Sequence, residues 1–385
     1  MDLCRPYNDA TLGTSAPQIT AANQKVVDYI ENTFSNILRE IEARPCGKPV
    51  IILKRIVAVR PYYDEADFMR LKWHIEDREV QYRFPGRTED EAWRFTCVGR
   101  ILSEIYTAIK DGVTVTKRDI YYRDPTLFKQ QETVDRYIDD IAHTCQVARS
   151  DLKVTGSPKG LLAGLFNNDR RDQTAIIPAV DIGFTFPDLS HQRWVLVVEK
   201  EATFNSLVER QYQRNHTIGP GLLVTAKGYP DLATRRFLRA LLNHVEPSVK
   251  AFGLMDWDPD GIQILKCYRY GSKKMAQEHG CNIPEMKWIG LKAEDVTRIG
   301  QGDNASMPLS MRDRAIALSM LTSEEWRDGS GALLPGLEEC TTELQQMLIL
   351  NRKAETQILD ESGDSLEEWL TVHLADELQE DRMMW

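Results

Sequence analysis

The sequence predicts a multidomain α/β protein, on three observations. Short, almost wholly apolar runs alternate with helix-patterned stretches between residues 194 and 265, as in a parallel sheet covered on both faces. Upstream, apolar residues recur at helical spacing over 20–41 and again over 91–149. A length of 385 residues with 42% hydrophobic and 28% charged residues suits two or three domains, and it excludes a disordered, collagen-like or low-complexity chain.

Residues 1–20 are polar and contain Pro, Thr and Ser, so they read as a frayed start. From Thr20 the positions Val26, Val27, Ile30, Phe34, Ile37, Leu38 and Ile41 make one apolar helix face, which Pro45 and Gly47 end. PVIILKRIVAVR (49–60) is β-branched and reads as a strand. The charged and aromatic stretch from Tyr62 to Arg87 reads as an elaborated loop or a hairpin. Two or three helices follow: Glu91 to Lys110, a short one opened by Thr116, and Glu132 to Arg149. With the strand-like LKVTGSPKGLLAG behind them they fit a winged-helix unit, and any small helical domain fits the same pattern.

WVLVVE (194–199), GLLVTAKG (221–228) and VKAFGLMD (249–256) are the three clearest strands, with a helix from Leu232 to His244 between the last two. After Gly271 helix and loop mix, with helices over Glu338 to Ile358 and Ser365 to Leu378. The domain expectation is therefore an N-terminal extension (1–90), a helical unit (91–165), a sheet domain with a C-terminal helical elaboration (190–359) and an acidic tail (360–385).

The net charge of −10 is unevenly placed. Nine acidic residues and no Lys or Arg lie between Asp360 and Asp381, which leaves the body of the chain nearly neutral. Arg44 to Arg60 holds five basic residues and no acid, and Arg210 to Val245 holds six against Asp231 alone. Such stretches suit nucleic acid, and solvated faces account for them equally. No apolar run approaches the roughly 18–20 residues of a bilayer span. The start MDLCRPYNDA has neither a basic nor an apolar leader segment, so cytosol or nucleus is expected, with no membrane partner. Seven cysteines without a CxxC pair read as reduced thiols.

Chemistry concentrates at two places. Parallel sheets carry their sites at the carboxyl ends of the strands. Glu199 and Asp256 are each the last residue of an apolar strand, with Asp258 and Asp260 close behind. Carboxylates converging there make an all-oxygen cluster suited to Mg²⁺ and phosphoryl chemistry, or else a solvated acidic rim. DWDPDG resembles the start of an EF-hand loop, but Cys267 stands where the bidentate Glu is required. Asp260 likewise breaks the haloacid-dehalogenase pattern, and neither GxxxxGK[ST] nor GxGxxG occurs.

The second place is TKRDIYYRDPTLF (116–128). Thr116 with Asp119 forms a capping-box start, and Pro125 ends the helix. Adjacent tyrosines point about 100° apart, so only one of Tyr121 and Tyr122 can face a site. Arg118 stands four residues before Tyr122 and Lys117 four before Tyr121, which gives each phenol a cation on its own face. A guanidinium beside a phenol favours phenolate and can hold a phosphate, while two packed aromatics with polar tips suit the same pattern.

RDIYYRD followed by LF, then SPKGLLAG, VLVVEKEATF, TAKGYPDLATR and DWDPDGIQIL, resemble in order five blocks of the topoisomerase VI A subunit, and more closely its eukaryotic relatives, the meiotic double-strand-break proteins. The resemblance spans roughly Arg100 to Lys292. It implies a winged-helix (CAP-like) domain carrying the nucleophile and a Toprim domain, a small Rossmann-like parallel sheet. It implies Tyr122 as nucleophile beside a non-catalytic Tyr121, and Glu199, Asp256 and Asp258 as holders of Mg²⁺. Arg118, Lys159 and Lys227 fall in matching blocks as candidate phosphate contacts, and Asp260 is an additional carboxylate.

The implied reaction is a type IIB topoisomerase-like transesterification on duplex DNA, giving 5′-phosphotyrosyl ends and the double-strand breaks that initiate meiotic recombination. The resemblance further implies a homodimer, a topoisomerase VI B-like partner, other meiotic break-formation proteins, and a nuclear, chromosome-associated location. A Toprim-type nuclease using water and a non-cleaving DNA-binding scaffold are the alternatives.

Overall fold

A computed structural model describes residues 19–43, 47–64, 67–156, 158–165, 174–180, 184–272, 278, 280–299, 306–328, 330–361 and 365–380. The start read as frayed lies, up to residue 18, outside them. The chain divides into two units, 1–55 with 79–155, and 56–78 with 156–385.

In the first unit, α1 (Ala21–Glu42) starts where Thr20 and Asn23 cap each other, and Val26, Val27 and Ile30 are its buried stripe. Helix α2 (Glu89–Asp111) opens on Thr88 with three acids in its first turn and closes on Gly112, whose φ of 69° meets the left-handed requirement of the cap. The strands β1 (Val50–Asp64) and β2 (Asp67–Arg83) pair as a hairpin of which residues 50–55 and 79–83 belong to this unit and 56–78 to the second, so the segment that composition left between loop and hairpin is a hairpin arm up to Arg83. Then come β3 (Val115–Thr116), α3 (Lys117–Arg123), α4 (Pro125–Phe128), α5 (Gln131–Cys145) and β4 (Val154–Thr155), with β3 and β4 paired in parallel. Val26 and Ile30 of α1, Ile51 of β1, Ile101 and Ile105 of α2 and Ile138 of α5 lie in one core. Helix α1 and the base of the hairpin are thus integral to this unit and not an extension of it, because their apolar faces supply part of its only large core cluster among the described residues.

The second unit is built on a six-stranded sheet ordered β10-β9-β7-β8-β5-β6. Its strands are β5 (Leu161–Ala163), β6 (Ala175–Ile176), β7 (Trp194–Val198), β8 (Gly221–Thr225), β9 (Lys250–Leu254) and β10 (Lys287–Ile289). The run β10-β9-β7-β8 is parallel, with Leu196 opposite Phe252 on one side and Leu223 on the other. Every residue of β7 and β8 is buried, the condition that makes their sequences continuously apolar. Helices α6 (Glu201–Glu209), α7 (Leu232–His244) and α8 (Pro259–Tyr270) connect the strands. The chain passes from β7 to β8 on one side and then returns to β9 on the other. The order therefore reverses between β7 and β9, and the crevice at their carboxyl ends is the topological switch point.

The helical elaboration comprises α9 (Ala293–Ile299), β11 (Met307–Pro308), α10 (Met311–Thr322), α11 (Glu338–Leu350), β12 (Arg352–Lys353), α12 (Ile358–Glu361) and α13 (Leu366–Glu380). Within the segment read as an acidic tail, Leu366, Trp369, Leu370 and Leu374 enter the core of the sheet unit, so residues 366–380 are a folded amphipathic helix. Cys97, Cys145, Cys267, Cys281 and Cys340 are free thiols. No described helix is long and apolar enough to cross a membrane.

Candidate active site

The tyrosine pair sits on α3 of the first unit. Asp119 N–H donates to Thr116 Oγ1 at 3.0 Å and Thr116 N–H to Asp119 Oδ2 at 2.9 Å, so a helix of only seven residues has its N-terminus satisfied. Ile120, fully buried, anchors it. That anchor turns Tyr121 against the core and leaves Tyr122 outward, 63% exposed.

The cations of the motif are divided as well. Lys117 Nζ lies 3.3 Å from Asp139 and 3.6 Å from Asp135 on α5, and Arg123 pairs with Glu104 on α2. Lys117 is therefore drawn to α5 and is not reserved for Tyr121, a correction to the spacing argument. Arg118 is exposed and makes no ion pair or hydrogen bond among the described residues. Its guanidinium and the Tyr122 phenol are thus the two open groups of this helix.

The carboxylates sit at the switch point of the second unit. Glu199 follows β7 directly, and its Oε2 accepts the Asp256 N–H at 3.1 Å. Asp256 is 3% exposed. Its Oδ1 accepts from Thr356 N–H at 2.9 Å and Thr356 Oγ1 at 2.7 Å, and its Oδ2 pairs with Lys200 Nζ at 2.8 Å. Lys200 reaches Glu355 and Gln357 as well, each at 2.9 Å. Asp258 caps α8, with Oδ1 accepting the Gly261 N–H at 2.6 Å and Pro259 in the first helical position. A hydrogen-bonded bridge between Trp257 and Ala354 brings the 354–357 segment alongside.

These groups are hard to ionise together. Burial, and then the Asp256 carboxylate, push Glu199 up to about 8. Burial also raises Asp258, against the opposing bond from Gly261 N–H. Lys200 is raised: burial works against its charge, but the bonds to Asp256 and Glu355 outweigh that. Asp260 behaves differently, lowered by its hydrogen bonds from Arg312.

No three Asp, Glu, His or Cys side chains form a ready-made metal cage among the described residues. Glu199 and Asp258 each use one carboxylate oxygen in the hydrogen bonds above, whereas Asp256 has Oδ1 held by Thr356 and Oδ2 by Lys200 and joins a metal only by exchanging the lysine for it. An all-oxygen, strongly acidic donor set of this kind fits a hard cation that keeps several waters and takes one or two carboxylates.

The basic candidates of this unit gather at the same sheet end. Lys159 Nζ donates to the Lys227 carbonyl at 3.4 Å, and Lys159 N–H to Asp231 at 3.1 Å. Lys227, at a left-handed φ of 57°, pairs with Glu201 at 2.8 Å. Gly228 N–H donates to the Glu199 carbonyl at 3.0 Å, so the loop carrying Lys227 hangs on the residue that carries the carboxylate. Glu199, Asp256, Asp258, Lys159 and Lys227 thus occur together, while Tyr122 and Arg118 belong to the other unit. Sequence reasoning missed Lys200 and Thr356. Adjacency to Glu199 could have flagged the lysine, whereas nothing local marks a threonine 100 residues from its carboxylate.

Two family models match this chain: Type IIB DNA topoisomerase over residues 93–154, and the Toprim domain of Spo11 and the topoisomerase 6 A subunit, over 194–374. It is 34% identical to the meiotic recombination protein rec12 of Schizosaccharomyces pombe, over 72% of this chain and 75% of that protein. It is 31% identical to the meiotic recombination protein SPO11 of Homo sapiens, over 76% and 74%. It is 30% identical to the DNA topoisomerase 6 A subunit of Arabidopsis thaliana, over 92% and 81%. With these segments in this order, and with the parallel strands β7 to β10 falling within the Toprim match, the chain belongs to the family of topoisomerase-like DNA-cleaving enzymes formed by Spo11 and the topoisomerase VI A subunit.

Proposed function

We propose that this protein makes the DNA double-strand breaks that initiate meiotic recombination, by attack of Tyr122 on the DNA backbone. The observation that carries the reading is the exposure of Tyr122, 63%, on a capped helix beside an unpaired Arg118 while Tyr121 packs inward. A nucleophile must reach the phosphorus in line, which only the outward phenol can do.

In the proposed step the Tyr122 oxygen bonds to a backbone phosphorus and the bond to the 3′-oxygen breaks. The products are a 5′-phosphotyrosyl link and a free 3′-hydroxyl, and the proton lost by the phenol is balanced by that gained by the 3′-oxygen. Arg118 orients the phosphate being attacked and favours the phenolate. Because this is transesterification, no water enters and the bond energy is kept. Glu199 and Asp258, joined by Asp256 once Lys200 gives up its Oδ2, would hold Mg²⁺, which would supply positive charge to the phosphate oxygens. Lys159 and Lys227 contact flanking phosphates, and such contacts position DNA without reading its sequence.

The first unit is read as a winged-helix domain. The working form is a homodimer in which the tyrosine of one protomer serves the carboxylates of the other, assembled with a B-type partner and further break-formation proteins on chromosomes in the nucleus.

The test is covalent trapping: purified protein with its partners, end-labelled duplex and Mg²⁺, then denaturation. Label carried by the protein at 5′ ends, lost in Tyr122→Phe and kept in Tyr121→Phe, is the expected result. Free ends that survive Tyr122→Phe would identify a water-using nuclease, and tight binding without cleavage a scaffold.

A further inference from the structure

Asp260 stands two residues past Asp258 and looks, in sequence, like one more metal ligand. Its oxygens are taken by other groups. Arg312, the second residue of α10, donates Nη1–H to Oδ2 at 2.5 Å and Nη2–H to Oδ1 at 3.2 Å, a two-pronged clamp on the carboxylate. Tyr229 lies with its hydroxyl 3.0 Å from Oδ1 and 3.1 Å from Gln263 Oε1. A phenol has one proton, and the charged carboxylate is the stronger acceptor.

Tyr229 sits in the loop between β8 and α7, which is held elsewhere by Gly228 N–H on the Glu199 carbonyl and by Lys159 on the Lys227 carbonyl. One side chain therefore joins three pieces of the site: the loop hung from Glu199, the helix capped by Asp258, and α10. Arg312 and Asp260 are 52 residues apart and Tyr229 and Asp260 are 31 apart, so no local rule of helix or turn imposes the cluster.

We propose that Asp260 is a positioning residue and not a metal ligand: clamped by Arg312, it latches Tyr229 and so keeps the Glu199 and Asp258 sides of the crevice at a set spacing. The spacing half of this rests on the reading of Glu199 and Asp258 as metal-holding groups. The latch half rests on the hydrogen bonds alone.

The experiment pairs hydrogen–deuterium exchange of residues 226–231 with Mg²⁺ titration by calorimetry, on the full chain, for wild type, Asp260→Asn, Asp260→Glu, Tyr229→Phe and Asp258→Asn. Asp260→Asn should exchange at 226–231 about tenfold faster. Its Mg²⁺ affinity should fall about three- to tenfold with stoichiometry kept. Asp260→Glu should recover most of both effects, and Asp258→Asn should lose Mg²⁺ altogether. Unchanged exchange in Asp260→Asn overturns the latch, and unchanged Mg²⁺ affinity overturns the positioning role. Loss of Mg²⁺ as complete as in Asp258→Asn makes Asp260 a ligand after all. Should Asp260→Asn fail to fold, Tyr229→Phe, which removes a single oxygen, carries the exchange comparison. A wild type that binds no Mg²⁺ would instead defeat the metal reading under the proposed function, with the exchange arm still deciding the latch.

Discussion

Glu199 Oε2 accepts the backbone N–H of Asp256 at 3.1 Å, so the carboxyl ends of the two strands flanking the switch point are tied through a carboxylate that resists ionisation. In the folded, metal-free protein Glu199 titrates at about 8 against an ordinary 4.5, because it is buried and faces Asp256. A folded value above the unfolded one means that the fold favours the protonated acid. Its contribution is complete below about 4.5 and is lost as pH rises towards about 8. Thermal melts in EDTA should therefore show stability falling across that window. Glu199→Gln, which keeps an acceptor for the Asp256 N–H, should flatten the decline by an amount on the order of a few kcal/mol.

The two tyrosines should separate in unfolding experiments as well as in catalysis. Tyr121 packs on the core of the first unit, so Tyr121→Ala should cost about 1–3 kcal/mol in urea unfolding. Tyr122 is mostly exposed, and Tyr122→Ala should stay within about 0.5 kcal/mol of wild type. Equal losses would contradict the orientation of α3.

Gly261 offers a test by sign. Replacing a helical glycine by alanine ordinarily stabilises by roughly 0.5–1 kcal/mol. Here the added Cβ would stand 2.5 Å from the Asp256 carbonyl and 3.2 Å from Glu199 Oε2. Gly261→Ala should instead destabilise by about 1–3 kcal/mol and disturb the carboxylates, read as a lowered melting temperature and weakened Mg²⁺ binding.

Thr356 holds Asp256 with both its N–H and its hydroxyl. Thr356→Val keeps the shape and the N–H and removes the hydroxyl bond, so Mg²⁺ affinity should drop about tenfold by calorimetry. Thr356→Ser should remain near wild type. A valine variant with unchanged affinity would remove Thr356 from the site.

Much of the fold is legible in the sequence. Thr20 to Ile41 as a helix becomes Ala21–Glu42, and the runs 194–199, 221–228 and 249–256 contain the strands Trp194–Val198, Gly221–Thr225 and Lys250–Leu254. These are elements whose pattern is strong because burial is strong: a strand covered on both faces can carry little but apolar side chains. The second arm of the hairpin, Asp67–Arg83, is less legible than the first: Met69, Leu71, Trp73 and Ile75 alternate with Arg70, Lys72, His74 and Glu76, but the charged run Asp77, Arg78 and Glu79 interrupts the pattern before Val80 and Tyr82. The helix Leu366–Glu380 hides its packing behind acids, although Trp369 and Leu370 are buried.

What the amino-acid sequence determined by itself is the inventory: a parallel sheet with Glu199 and Asp256 at strand ends, a capped helix with two tyrosines, and the order of blocks that carries the family. Only the tertiary structure decided which member of each set is available. It turned Tyr122 outward and Tyr121 inward, gave Lys117 to Asp139 and left Arg118 open. It brought Thr356 to Asp256 across 100 residues and Arg312 to Asp260 across 52. Periodicity and capping are written within three or four neighbours along the chain. The partner of a charged or polar side chain is chosen by strand order and helix packing, which bring distant segments together.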